Sequence, residues 1–179
     1  MTHFDVFGLP PRYTLDAADL EKRHRALALE WHPDRAAPSD ARAHRVAVER
    51  TTALNDAYRV LKDPIRRAFY LLALAGVDLD HAGGGPRDLP IEMLEEVLEL
   101  REALAEAKTA KDFPRARELA ARVEAERTGA LAAAVLCLEL VETSPANPVA
   151  VKKASHQLSR VRYFTRFLEE ADALEEEAL

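Results

Sequence analysis

The chain has 179 residues, and its 25 Lys and Arg face 31 Asp and Glu, a formal net charge of −6. At 48% hydrophobic and 31% charged, it reads as a soluble globular chain rather than a disordered one, long enough for one ordinary domain or two small ones. The acidity is uneven: residues 1–76 hold 12 basic and 10 acidic side chains, whereas residues 77–179 hold 13 and 21. Phosphate binding needs a basic surface, so an acidic second half argues against nucleic acid as the main partner. It suits a partner with a basic patch, and solubility alone accounts for it equally.

Glycine is scarce, with Ala, Leu, Glu and Arg abundant, which favours helices. β-branched and aromatic residues are too thinly spread to build a sheet, so the expected fold is all-α. The one cysteine, Cys137, lies in the apolar run Ala132–Leu140. A single cysteine makes neither an internal disulfide nor a Cys-based zinc site, and these neighbours predict a buried thiol in a reducing compartment. Met1–Pro10 lacks a cationic stretch followed by an apolar run, so no secretory signal is expected. No apolar segment reaches membrane-spanning length. The expected location is cytoplasmic, with no membrane partner.

Phe4–Leu9 reads as a short apolar turn ended by Pro10-Pro11. Asp16 precedes a helix to about Trp31, with Leu20, His24, Leu27 and Trp31 on one stripe. Pro33 stops it, and a loop runs through Arg35 to Ser39. Ser39 or Asp40 is placed to cap a second long helix ending near Lys62, with Leu54, Tyr58 and Leu61 as its apolar stripe. Asp63-Pro64 breaks that helix and starts a short one, Ile65–Ala75.

Between Gly76 and Pro90, the run His81-Ala82-Gly83-Gly84-Gly85-Pro86 cannot sustain a helix. The expected division is therefore a domain over 1–76, a linker over 77–88 and a second domain over 89–179. Three helices are expected in the second domain, about Leu89–Lys108, Phe113–Glu142 and Pro148–Leu179, with breaks at Thr109–Asp112 and Thr143–Pro148. Such short connections predict an antiparallel three-helix bundle.

On the first of these helices Met93, Val97, Leu100 and Leu104 share a stripe, and Ile91, Leu94 and Leu98 share another centred about 120° away at the helical period. One stripe is enough for a bundle core. The second, flanked by Glu95, Glu99, Glu102 and Glu106, either packs on the chain's own helices or meets a partner through burial and charge together. Glu169-Glu170 and Glu175-Glu176-Glu177 read as a solvated helix face rather than a metal site. Arg115, Arg117, Arg122 and Arg127 are spaced to pair with nearby Glu on their own helix.

His32-Pro33-Asp34 follows the first long helix directly. Pro33 biases His32 away from helical geometry, and Asp34 can brace the turn. A His–Asp pair also raises acid–base catalysis or a metal. With no His/Cys cluster at ligand spacing and no nucleophile beside a base, no enzyme activity, cofactor or metal is expected.

The stretch Leu20-Glu21-Lys22-Arg23-His24-Arg25-Ala26-Leu27-Ala28-Leu29-Glu30-Trp31-His32-Pro33-Asp34-Arg35 resembles helix II and the loop of a J domain. Leu54-Asn55-Asp56-Ala57-Tyr58-Arg59-Val60-Leu61-Lys62-Asp63-Pro64, then Arg67-Ala68-Phe69-Tyr70, resembles the end of helix III and the start of helix IV. The opening Phe4-Asp5-Val6-Phe7-Gly8-Leu9-Pro10-Pro11-Arg12-Tyr13, the run Tyr70–Gly76 and Leu98–Leu104 are similar to the HscB family, the J-type co-chaperones of iron–sulfur cluster assembly. That resemblance is dense to about Leu104 and diffuse beyond. A chain opening at the J domain, without a Cys-rich segment, favours a bacterial-type member.

The resemblance implies a J domain, a helical hairpin with short flanking helices, followed by the three-helix bundle. It implies a co-chaperone that stimulates the ATPase of a DnaK/HscA-type chaperone and delivers an IscU-type scaffold protein to it, promoting cluster transfer. It implies chaperone docking by His32, Pro33, Asp34 and Arg35 with Lys22, Arg23 and Arg25. Glu21, Ala26 and Glu30 stand where generic J domains often carry Lys or Arg, which suggests a dedicated chaperone. It implies scaffold binding by Leu94, Leu98, Glu99, Glu102 and Glu106, with Tyr163 from the last helix and Phe164 as its competitor. The alternative is a J-domain protein for a different client. Leu174 and Leu179 either close the bundle or pair with a second copy, so the oligomeric state stays open.

Overall fold

The computed structural model describes residues 1–32, 34, 41–79, 91–143 and 147–176. Pro33, Arg35, the expected caps Ser39 and Asp40, most of the expected linker and Leu179 lie outside the described residues. Seven helices are described: α1 His3–Val6, α2 Ala17–Glu30, α3 Ala41–Lys62, α4 Pro64–Leu74, α5 Ile91–Ala110, α6 Phe113–Thr143 and α7 Pro148–Glu176. No strand occurs among the described residues. The chain separates into two compact units, Met1–Leu71 and Leu72–Leu179.

In the first unit, Asp16 caps α2 by accepting from the amides of Ala18 and Asp19 at 2.8 and 3.1 Å. Asp63 performs the same service for α4, accepting from Ile65 and Arg66, which is why the Asp-Pro pair both ends α3 and begins α4. Helix α3 packs against both α1 and α2. Phe4, Phe7, Leu20, Leu54, Ala57, Leu61 and Ala68 are buried. Leu27, Trp31 and Tyr58, expected on the apolar stripes, are half-buried.

Three helices end in the same backbone motif. After α1, the Leu9 amide bonds Phe4 O and the Gly8 amide bonds Asp5 O. After α4, Val77 bonds Leu72 O and Gly76 bonds Ala73 O. After α5, Asp112 bonds Ala107 O and Lys111 bonds Lys108 O. Each closure needs a left-handed residue, supplied by Gly8 at φ 61, Gly76 at φ 90 and Lys111 at φ 54. This turn, and not a break from Thr109, separates α5 from α6.

The second unit is the three-helix bundle α5–α7. Its core includes Leu100 and Leu104 from α5, Ala116, Leu119 and Val123 from α6, and Phe164, Phe167, Ala171 and Leu174 from α7. Leu174 thus belongs to the bundle's own core. Toward the far end of α6 the buried residues include Ala130, Ala134, Leu138 and Val141, and at the start of α7 Ala150, Ala154 and Leu158. Cys137 is half-buried rather than buried. It sits at the edge of the α6 face that buries Ala134 and Leu138 while Leu136 and Leu140 point to solvent.

Candidate functional site

Two groups of residues carry the sequence-level expectations, one in each unit. In the first, Trp31 closes α2 by donating its amide to Leu27 O at 2.8 Å. The next residue, His32, holds an exposed ring, and its Nδ1 accepts the amide of Asp34 at 3.2 Å. That amide occupies the Nδ1 lone pair, which leaves the ring proton of the neutral imidazole to Nε2. The Asp34 carboxylate, 88% exposed, approaches Nδ1 at 3.7 Å.

The α2–α3 hairpin behind this tip is joined by polar and aromatic contacts. His24 Nε2 meets Asn55 Oδ1 at 3.1 Å, and its ring stacks on Tyr58 at 4.0 Å. Nearer the tip, Thr51 Oγ1 donates to Trp31 O at 3.0 Å. The guanidinium of Arg50 lies over the Trp31 ring, 5.9 Å from its centroid. The sequence reading did not single out Arg50, Thr51 or Asn55.

The basic side chains of α2 differ in their commitments. Arg23 Nε pairs with Asp19 at 2.8 Å, and its Nη1 donates to Phe7 O at 3.0 Å, tying α2 to the end of α1. Arg25 pairs with Glu21 one turn earlier. Lys22 is exposed, with no ion pair among the described residues. His32, Asp34 and Lys22 are thus accessible, whereas the Arg23 guanidinium is engaged with its own fold.

In the second unit, α5 uses its two apolar stripes differently. Met93, Leu100 and Leu104 are buried and Val97 is half-buried. Leu98 is 59% exposed, Ile91 is 70% exposed and Leu94 is half-buried. Glu95, Glu99, Glu102 and Glu106 are all exposed alongside. Ile91 was absent from the residues carried over by resemblance, although its helical spacing to Leu94 and Leu98 marks it.

Helix α7 is tied to its neighbours through Arg160, whose guanidinium lies 3.2 Å from Glu96 on α5 and 3.5 Å from Glu126 on α6; Glu96, two residues from both Leu94 and Leu98, is on the other side of α5 from that stripe. Phe164 is 1% exposed and stacks under the Arg160 guanidinium. Tyr163 is half-buried, so of the two aromatics only Tyr163 presents surface. Among the described residues, no cluster of His, Cys, Asp and Glu has the arrangement to hold a metal ion, and no helix is long and apolar enough to cross a membrane.

Residues 2–70 match the DnaJ domain family, and residues 89–172 match the HSCB C-terminal oligomerisation domain. Over 126 residues, 70% of each chain, the sequence is 39% identical to a co-chaperone protein HscB homolog of Ralstonia nicotianae. The solved structure of the chaperone HscB from Vibrio cholerae is similar over the whole of both chains, with a TM-score of 0.79 at 31% identity. That of the human co-chaperone protein HscB is similar in fold, with a TM-score of 0.83 at 23% identity, covering all of this chain and 84% of the other.

Proposed function

Because the chain belongs to the HscB family of J-domain co-chaperones, we propose that it stimulates the ATPase of a DnaK/HscA-type chaperone and delivers an iron–sulfur scaffold protein of the IscU type to it, promoting cluster transfer. It performs no catalysis itself. ATP hydrolysis belongs to the chaperone, and the cluster is cargo on the scaffold. The place of action is the cytoplasm.

The observation that carries the scaffold half is the double use of α5. A helix that fills a bundle core with Met93, Leu100 and Leu104 still leaves Ile91 and Leu98 in water, beside a row of exposed carboxylates. Exposed leucine and isoleucine at helical spacing offer burial to a partner, and the carboxylates orient a partner with basic residues. Leu94, Leu98, Glu99, Glu102, Glu106 and Tyr163 are the residues we assign to it. His32, Pro33, Asp34 and Arg35, with Lys22 and Arg25 nearby, are those we assign to the chaperone. Arg23 takes a supporting role through its bond to Phe7 O.

Holding scaffold and chaperone on one chain converts their meeting into an intramolecular event at raised effective concentration. The test is the chaperone's ATPase rate with this protein alone, with scaffold alone and with both. The expected result is a rate with both well above the sum of the two separate effects. Additive rates would sink the delivery role and leave a J-domain protein for another client.

A further inference from the structure

We propose that Thr51 on α3 is a positioning residue for the chaperone-docking tip, holding the end of α2 so that His32 leaves it in a fixed direction. This deepens the docking role proposed above and rests on it.

The need for such a residue follows from the sequence. Pro33 has no amide proton and cannot continue the α2 hydrogen-bond ladder. Trp31 is the C-cap of α2, so its carbonyl falls at the helix end, where the ladder stops, and it lies one peptide bond from His32. A free carbonyl there leaves the ψ of Trp31, and so the direction of the tip, weakly determined.

Thr51 meets that need. A threonine inside a helix commonly bonds the carbonyl four residues back. Thr52 does so, with Oγ1 donating to Val48 O at 2.9 Å. Thr109 and Thr165 do the same with Ala105 and Val161. Thr51 instead reaches across the hairpin to Trp31 O at 3.0 Å, between residues 20 apart in the chain, in a partly buried setting. Arg50 over the Trp31 ring restrains the same residue from its side chain, as a cation over an indole face. With Trp31 held at carbonyl and ring, the amide of Asp34 is left to select the His32 tautomer.

The test uses the full-length protein and three variants, Thr51→Val, Thr51→Ser and His32→Gln, each confirmed folded by circular dichroism at the assay temperature. Valine keeps the shape and removes the donor, whereas serine keeps the donor. The expected result is that Thr51→Val raises the concentration needed for half-maximal ATPase stimulation about threefold to tenfold, the worth of one hydrogen bond, while the maximal rate is retained. Thr51→Ser restores the wild-type value. The nitrogen chemical shifts of the His32 imidazole, read without any chaperone, report the Nε2–H tautomer in wild type and Thr51→Ser and a mixture in Thr51→Val. Unchanged stimulation and unchanged imidazole shifts in Thr51→Val, or failure of serine to rescue, overturn the proposal. If His32→Gln stimulates as well as wild type, the docking role itself fails, and the imidazole shifts still decide whether Thr51 orients the tip.

Discussion

His3 and Tyr70, 67 residues apart, are joined twice: the His3 amide donates to the Tyr70 hydroxyl at 2.9 Å, and the two rings lie 4.4 Å apart between centroids. The contact fastens α1 to α4. Burial lowers the His3 pKa from its usual 6.5, partly opposed by the Asp56 carboxylate. The unfolded chain therefore binds the His3 proton more tightly. His3's contribution to stability is fully present above the usual value and is lost as pH falls through the lower, folded value. Urea unfolding between about pH 7 and pH 5 should show a decline that is shallower in His3→Gln. Equal slopes would show that His3 is not the group responsible. Asp5, lowered by hydrogen bonds from the Thr2 backbone and side chain, acts in a separate, more acidic window, contributing above 3.8 and losing that contribution as pH falls through its folded value.

His32 is exposed and its ring makes no buried contact, so His32→Gln should leave the melting temperature within about 1 °C of wild type, as surface substitutions generally do. Stimulation of the chaperone should fall to background. Retained stimulation would remove His32 from the docking surface.

Lys22 and Arg23 are neighbours in sequence with opposite expected phenotypes. Lys22→Ala should slow encounter with the chaperone and reduce its salt dependence, with stability unchanged. Arg23→Ala removes the donor to Phe7 O and should cost about 1–2 kcal/mol of stability, read as a lower urea midpoint. Equal stability of the two variants would contradict the inward role of Arg23.

Leu98 and Leu100 make a similar contrast on α5. Leu98→Ala should change stability by less than about 0.5 kcal/mol, yet with Leu94→Ala it should weaken scaffold binding at least about tenfold. Leu100→Ala, in the core, should cost about 2–5 kcal/mol. Calorimetric titration with the scaffold and chemical unfolding separate the two effects. Undiminished scaffold affinity in the double variant would place the binding surface elsewhere.

Lys111 holds a left-handed conformation that glycine adopts without strain. Lys111→Gly should raise stability by up to about 1 kcal/mol, unlike most glycine substitutions. A destabilised variant would show that the Lys111 side chain contributes more than the backbone strain costs.

Much of this architecture is legible along the chain because its signals are local. Asp16 and Asp63 announce helix starts through short-range side-chain-to-amide bonds, and Gly76 announces a helix end through its freedom at positive φ. Helical period alone groups Met93, Leu100 and Leu104 on one stripe and Ile91, Leu94 and Leu98 on another, and the histidine–proline–aspartate tip stands out as a motif. Lys111 did not announce its turn, because nothing in a lysine codes for positive φ.

What only the tertiary structure decided is which groups are already occupied. Spacing puts Lys22, Arg23 and Arg25 together on α2, but it takes the end of α1 to turn Arg23 inward. Periodicity separates the two stripes of α5, but it takes α6 and α7 to bury Met93 and leave Leu98 in water. Tyr163 and Phe164 are adjacent and chemically alike in sequence, and the bundle takes Phe164 for its core. Thr51 and Thr52 are identical in type, yet one bonds its own helix and the other the end of α2. Helix formation depends on neighbours a few residues away, whereas the availability of a side chain depends on what the rest of the chain brings beside it.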